Sequence, residues 1–171
     1  MKNIGAILVF VAGTVVGWLY SLLLQKRVKI LCSLIQCFQW LETEVGYADV
    51  TLAEAFGRIG RRVDPETGML FSSFAAELNE ERGLTAAEAW QQSLAACRDR
   101  LTLQGEDWAV LEDFGHTLGS TDREHQLNAI RQTLEKLKLQ AEAAAAFRKN
   151  NERLYRYLGM AGGALIVILL Y

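Results

Sequence analysis

The chain has 171 residues, enough for one compact domain, and its 18 lysines and arginines against 20 aspartates and glutamates leave a formal net charge of −2. So even a balance excludes bulk electrostatic attraction to nucleic acid. A single proline, 51% hydrophobic residues and three cysteines without CxxC spacing (Cys32, Cys37, Cys97) point to an almost wholly helical protein. They exclude a disulfide framework and a zinc site, and buried thiols in a reducing compartment fit the cysteines.

The charge is unevenly spread: apart from Lys2 and the chain ends, every formal charge lies between Lys26 and Arg156. Ile4 to Leu24 is a run of twenty-one uncharged residues, and at ~1.5 Å per residue it spans a hydrocarbon layer of ~30 Å. A cleaved signal peptide is the rival, but its apolar core is shorter, ~7–15 residues, and ends in small residues. This run instead exits through Trp18, Tyr20 and three leucines. We therefore expect residues 1–25 to form a transmembrane anchor. Lys2 precedes the run and Lys26, Arg27 and Lys29 follow it; the flank richer in cations stays in the cytoplasm.

From Lys26 the helix is expected to continue with Ile30, Leu31, Leu34, Ile35, Phe38, Leu41 and Val45 on one face, until Gly46 to Asp49 breaks it. Thr51-Leu-Ala-Glu54 is a capping box that opens a short helix with Leu52, Ala55, Phe56 and Ile59 inward. Arg58, Arg61 and Arg62 cluster at its end. They complement the helix dipole there, or they form a partner-docking patch. Asp64-Pro65 reads as N-cap and first residue of a third helix, with Met69, Leu70, Phe74 and Leu78 inward and Gly83 as its C-terminal stop.

Thr85-Ala-Ala-Glu88 is another capping box, leading into Ala89, Trp90, Leu94 and Cys97. A fifth helix is predicted from about Gly105 to Leu118, with Trp108, Leu111 and Phe114 inward and Gly119-Ser120 as the turn. Thr121-Asp-Arg-Glu124 then caps a long last helix, on which Leu127, Ile130, Leu134, Leu137, Ala141 and Ala144 make a narrow apolar seam. No segment alternates with period two long enough to be a strand. The expectation for residues 26–156 is a cytoplasmic six-helix bundle around one core, in an all-α chain.

After Arg156 the polarity collapses. Leu158 to Tyr171 carries no charge, and Arg148, Lys149, Arg153 and Arg156 precede it, again placing the bundle inside. Fourteen residues cover only about 21 Å; adding Leu154 to Tyr157 reaches about 27 Å with Arg156 snorkelling. We expect residues 157–171 to be a second membrane segment, the last helix running without a break into the bilayer; a helix packed on the domain is the alternative. Gly13 and Gly17, and Gly159 and Gly163, form small-residue notches that let helices pack closely in lipid. Ordinary glycine enrichment of membrane helices explains them equally well.

Chemistry is sparse. His116 and His125 flank a turn near Asp122 and Glu124, with no third ligand at a metal-binding spacing. The glycines at 115 and 119 lack the strand and the GK[ST] of a phosphate loop. The acidic pairs Glu80-Glu81, Glu106-Asp107 and Glu112-Asp113 are expected on solvated faces. No catalytic residue, cofactor, metal or small-molecule substrate is expected.

Several stretches carry a resemblance. They are Ala12-Gly-Thr14 with Gly17-Trp18, Leu41-Glu-Thr-Glu44 with Tyr47, Leu52-Ala-Glu-Ala55, and Gly83-Leu-Thr85 with Glu88-Ala-Trp90. The most specific is Phe114-Gly-His-Thr-Leu-Gly-Ser-Thr-Asp-Arg-Glu124 with Gln126, and the close is Lys149-Asn150, Glu152-Arg153 and Tyr155-Arg-Tyr-Leu-Gly159. In these the chain resembles, nearly end to end, the stage III sporulation protein AB family of endospore-forming bacteria. That family often has Ser-Asp where Thr121-Asp122 stands; Thr caps a helix as well. More distantly, the middle domain is similar to the cytoplasmic helical domains of the inner-membrane platform proteins of type II secretion and type IV pili.

The resemblance implies a component of the channel complex between mother cell and forespore, in the mother-cell membrane. Its expected partners are the secretion-type ATPase stage III sporulation protein AA, other membrane proteins of the same operon, and membrane lipid. A non-enzymatic platform is the main expectation. A membrane-tethered adaptor that only recruits a cytosolic protein is the alternative, and an enzyme using His116 or His125 is a third.

Overall fold

A computed structural model describes the backbone of residues 2–47, 51–80, 83–119 and 122–170; within the helices, the side chains at 2–14, 16–18, 20, 47, 152–156 and 158–170 lie outside the description. The described chain is all-α: α1 (Lys2–Tyr47), α2 (Leu52–Gly60), α3 (Pro65–Asn79), α4 (Ala86–Cys97), α5 (Gly105–Gly115) and α6 (Arg123–Leu170). It divides into two compact units, one of Lys29–Ala141 and one of Met1–Val28 with Glu142–Tyr171. Both α1 and α6 contribute residues to each unit.

Local signals start the short helices. Thr51 and Glu54 exchange their capping hydrogen bonds, Glu54 N–H to Thr51 Oγ1 at 3.3 Å and Thr51 N–H to Glu54 Oε2 at 3.4 Å. Thr85 and Glu88 do the same at 3.3 and 2.8 Å. Asp64 caps α3 by accepting from Thr67 N–H at 3.2 Å, with Pro65 in the first turn. Each such cap satisfies amides that have no partner inside the helix.

The Lys29–Ala141 unit closes on an aromatic centre. Phe38 of α1, Phe56 of α2, Phe71 and Phe74 of α3, Trp90 of α4 and Phe114 of α5 are at most 3% exposed. Trp90 is the hub, edge-on to Phe74 (5.2 Å between centroids), Phe114 (5.5 Å) and Phe56 (5.7 Å). Edge-to-face pairs suit the ring quadrupoles. The indole N–H, which would be costly to bury alone, donates to Leu111 O at 2.7 Å. On α6, Ile130, Leu134 and Leu137 add the aliphatic side of the core. Burying each such side chain is worth roughly 1.5–3 kcal/mol.

Several expectations need correction. Phe71 is fully buried, whereas Met69 and Leu78 are only half-buried; the α3 face is centred one position further along than Met69 suggests. That helix ends at Asn79, with Glu80 already extended (φ −78°, ψ 127°), so Gly83 (φ +69°) belongs to the connection and is not the helix stop. The fifth helix ends at Gly115, where turn-like bonds such as Leu118 N–H to Gly115 O at 3.2 Å take over. Asp107 is fully buried rather than solvated, because its carboxylate accepts from Gln104 N–H at 2.8 Å at the start of α5. Cys32 is exposed, while Cys37 and Cys97 are buried.

The other unit is described by its helix ends alone. Val15, Leu19, Leu22 and Leu23 on α1 are 40–52% exposed, as is Phe147 on α6 at 43%. Among the described residues no helix is long and apolar enough to cross a membrane. Most side chains of the expected spans, residues 4–24 and 158–171, fall outside the described residues, as do those of Gly13, Gly17, Gly159 and Gly163.

Candidate functional site

The stretch from Phe114 to Gln126 builds the most elaborate corner of the bundle. Gly115 sits under the Trp90 indole: a Cβ there would come within 2.5 Å of Trp90 Cδ1. Gly119 takes φ +95° in the turn, a backbone conformation that side chains resist. Ser120 of the expected turn and Thr121, the expected cap, lie outside the described residues. Asp122 occupies the cap position before α6, and its Oδ1 accepts from Glu124 N–H at 3.1 Å. His125 Nδ1 lies 2.8 Å from Asp122 Oδ2. The hydrogen bond from His125, then that from Glu124 N–H, holds the Asp122 carboxyl below the usual carboxylate range.

Arg123 joins this corner to the end of α1. Its Nε donates to Val45 O at 2.7 Å and an Nη2 donates to Gly46 O at 2.6 Å. The guanidinium therefore satisfies carbonyls that the last turn of a helix leaves open, at the negative end of the dipole. About two helical turns further on, Arg131 Nε donates to Glu42 Oε1 at 2.6 Å. Pairing 123 with 45 and 131 with 42 means that α6 runs antiparallel to α1 in this unit. Nothing local in the sequence announced these contacts, which join positions 78 and 89 residues apart.

His116 and His125 are both exposed and line one shallow groove with Thr117, Leu118, Asn128, Ala129 and Gln132. Among the described residues no group of three His, Cys, Asp or Glu could hold a metal ion. The third ligand that the two histidines would need is not assembled there.

The three candidate docking arginines separate. Arg58 is half-buried, and its Nη1 lies 3.4 Å from Glu44 Oε2, so it ties α2 to α1. Arg61 and Arg62 are exposed beyond the last turn of α2, where the Arg62 N–H donates to Ile59 O at 2.9 Å. Both stand just past the negative end of the α2 dipole, and the Arg61 guanidinium folds back to within 3.6 Å of where a Cβ at Gly57 would stand. Close by, Asp64 carries opposing influences. Partial burial raises its pKa, but the Ser33 hydroxyl, hydrogen bonds from Thr67 and the charge of Lys29 hold it below the usual carboxylate range. The same carboxylate and, above all, burial push the Cys37 thiol up to about 12. That thiol is therefore inert at neutral pH.

A family model described as stage III sporulation protein AB matches residues 2–171. Stage III sporulation protein AB of Bacillus subtilis (strain 168) is 31% identical over 170 residues, 99% of each chain. A solved structure of stage III sporulation protein AB superposes with a TM-score of 0.67 at 31% identity, covering 72% of this chain and 96% of that one. Matched end to end at the sequence level, and sharing the helical fold of a solved relative, the chain belongs to the stage III sporulation protein AB family.

Proposed function

We propose that this chain is a non-enzymatic membrane platform for spore formation. In this reading residues 1–25 and 157–171 hold the bundle on the cytoplasmic, mother-cell side of the membrane. The bundle docks the secretion-type ATPase stage III sporulation protein AA, within the channel complex between mother cell and forespore. The notches at Gly13 and Gly17 and at Gly159 and Gly163 pack the anchors against each other or against partner helices.

The observation that carries the reading is α6, a single helix from Arg123 to Leu170. It begins clamped to α1 by Arg123 and ends in a run without charge. An unbroken helix transmits displacement along its axis, where a flexible linker would not. The exposed leucines give separate support. Val15, Leu19, Leu22 and Leu23 stand at i, i+4, i+7 and i+8, so they form one apolar stripe that is 40–52% exposed. A stripe of that kind calls for an apolar neighbour, which lipid supplies.

The test is to insert a short Gly-Ser segment after Ala144 in the spore-forming host. Platform coupling predicts that the variant stays membrane-bound and folded but that sporulation is lost. Full sporulation would contradict transmission through α6. If a chain truncated after Ala144 also sporulates, a simple tethered adaptor is sufficient.

A further inference from the structure

Two loops of the Lys29–Ala141 unit lie at the end where α1 enters it. The loop between α2 and α3 is placed there by Asp64, which faces Ser33 and feels the charge of Lys29. The loop between α4 and α5 joins it, because Arg100 lines one surface hollow with Pro65, Glu66 and Met69, its Nη1 3.3 Å from Met69 Sδ. Arg61, Arg62 and Arg100 therefore share one end of the bundle with Lys29, and all four are exposed. Among the described residues Arg61, Arg62 and Arg100 make no ion pair. Arg98, on the same loop, is taken by Glu112 at 3.1 Å and by the Trp108 ring.

Carboxylates also occupy this end. Asp64 is turned to its own helix cap, and Glu66 and Glu106 stand in the first turns of α3 and α5, where the dipole favours negative charge. Asp99 is the one remaining acid of the two loops, against three long cationic side chains.

Chain connectivity says what this end meets. Five peptide units separate Leu24, the last residue of the uncharged run, from Lys29. Even fully extended they reach at most about 18 Å. Lys29, which shares its end of the bundle with the three arginines, is therefore held within that distance of the end of the apolar run. The geometry points to anionic phospholipid headgroups as the ligand of Arg61, Arg62 and Arg100, a role distinct from docking a soluble protein. This rests on the membrane reading above. Guanidinium groups suit phosphate oxygens geometrically, and juxtamembrane cations are drawn to an anionic leaflet over a Debye length of about 8 Å at physiological salt. The opposite end, with the His116–His125 groove, is left for soluble partners.

The test uses the full chain in nanodiscs of phosphatidylcholine alone or mixed with phosphatidylglycerol, followed by hydrogen–deuterium exchange. Peptides covering residues 60–64 and 98–104 should exchange several-fold more slowly in the anionic discs. The slowing should shrink at high salt and vanish in R61Q/R62Q/R100Q, while residues 115–119 exchange alike in both lipids. Equal exchange in the two lipids by a chain inserted in both, or slowing that survives in the triple variant, would overturn the assignment. A chain recovered free of both kinds of disc would overturn the membrane reading and this inference with it.

Discussion

At the scale of single residues, close contacts surround Trp90 and three thiols sit in unlike settings. Replacing Gly115 by Ala forces a methyl against the Trp90 ring in a filled core, and overpacking of that kind costs roughly 1–3 kcal/mol. Chemical denaturation should show the midpoint falling with little change in slope. Cys32 is exposed while Cys37 and Cys97 are buried, and burial raises both buried thiols, Cys37 to about 12. A thiol reagent at neutral pH should therefore label Cys32 alone in the folded protein, and all three after unfolding. Asp64 contributes with a definite sign. Its folded pKa is depressed, so its stabilisation is present above the ordinary carboxylate value of about 3.9 and is lost as pH falls through the folded value. Asp64→Asn should flatten that acid limb of a stability-versus-pH curve.

At the scale of elements, short-range chemistry was readable and long-range chemistry was not. Thr51 with Glu54, Thr85 with Glu88, and Asp64-Pro65 mark helix starts because both halves of each signal lie within one turn. Thr85→Ala should destabilise the bundle by about 1 kcal/mol, measured by thermal melting. The burial of Phe71 and Asp107 and the exposure of Cys32 escaped the sequence because they depend on which neighbour covers a helix face. Apolar spacing alone locates such a face only to within a position. The Arg123 clamp escaped for the same reason: its partners are backbone carbonyls on a distant helix, and carbonyls leave no mark in a sequence. Arg123→Met keeps much of the stem but removes the donors to Val45 and Gly46. It should raise amide exchange in the last turn of α1 with little effect on α3 or α4.

For the whole molecule, composition gave more than any motif. Lys2 and the chain ends apart, the confinement of charge between Lys26 and Arg156 separates apolar ends from a polar middle. The structure places the compact core of that middle at Lys29–Ala141. The candidate site was legible only in part. The Phe114–Glu124 stretch stood out as a string of residues, but its role as the junction of α1, α5 and α6 needed coordinates. The central claim is that the two ends hold the bundle on the inner face of a membrane. The most direct measurement is labelling in intact cells with a membrane-impermeant maleimide, comparing native Cys32 with a Lys2→Cys variant. The account predicts that position 2 is labelled from outside and Cys32 only after permeabilisation. Labelling of Cys32 in intact cells, or release of the full chain from membranes by alkaline washing, would contradict it.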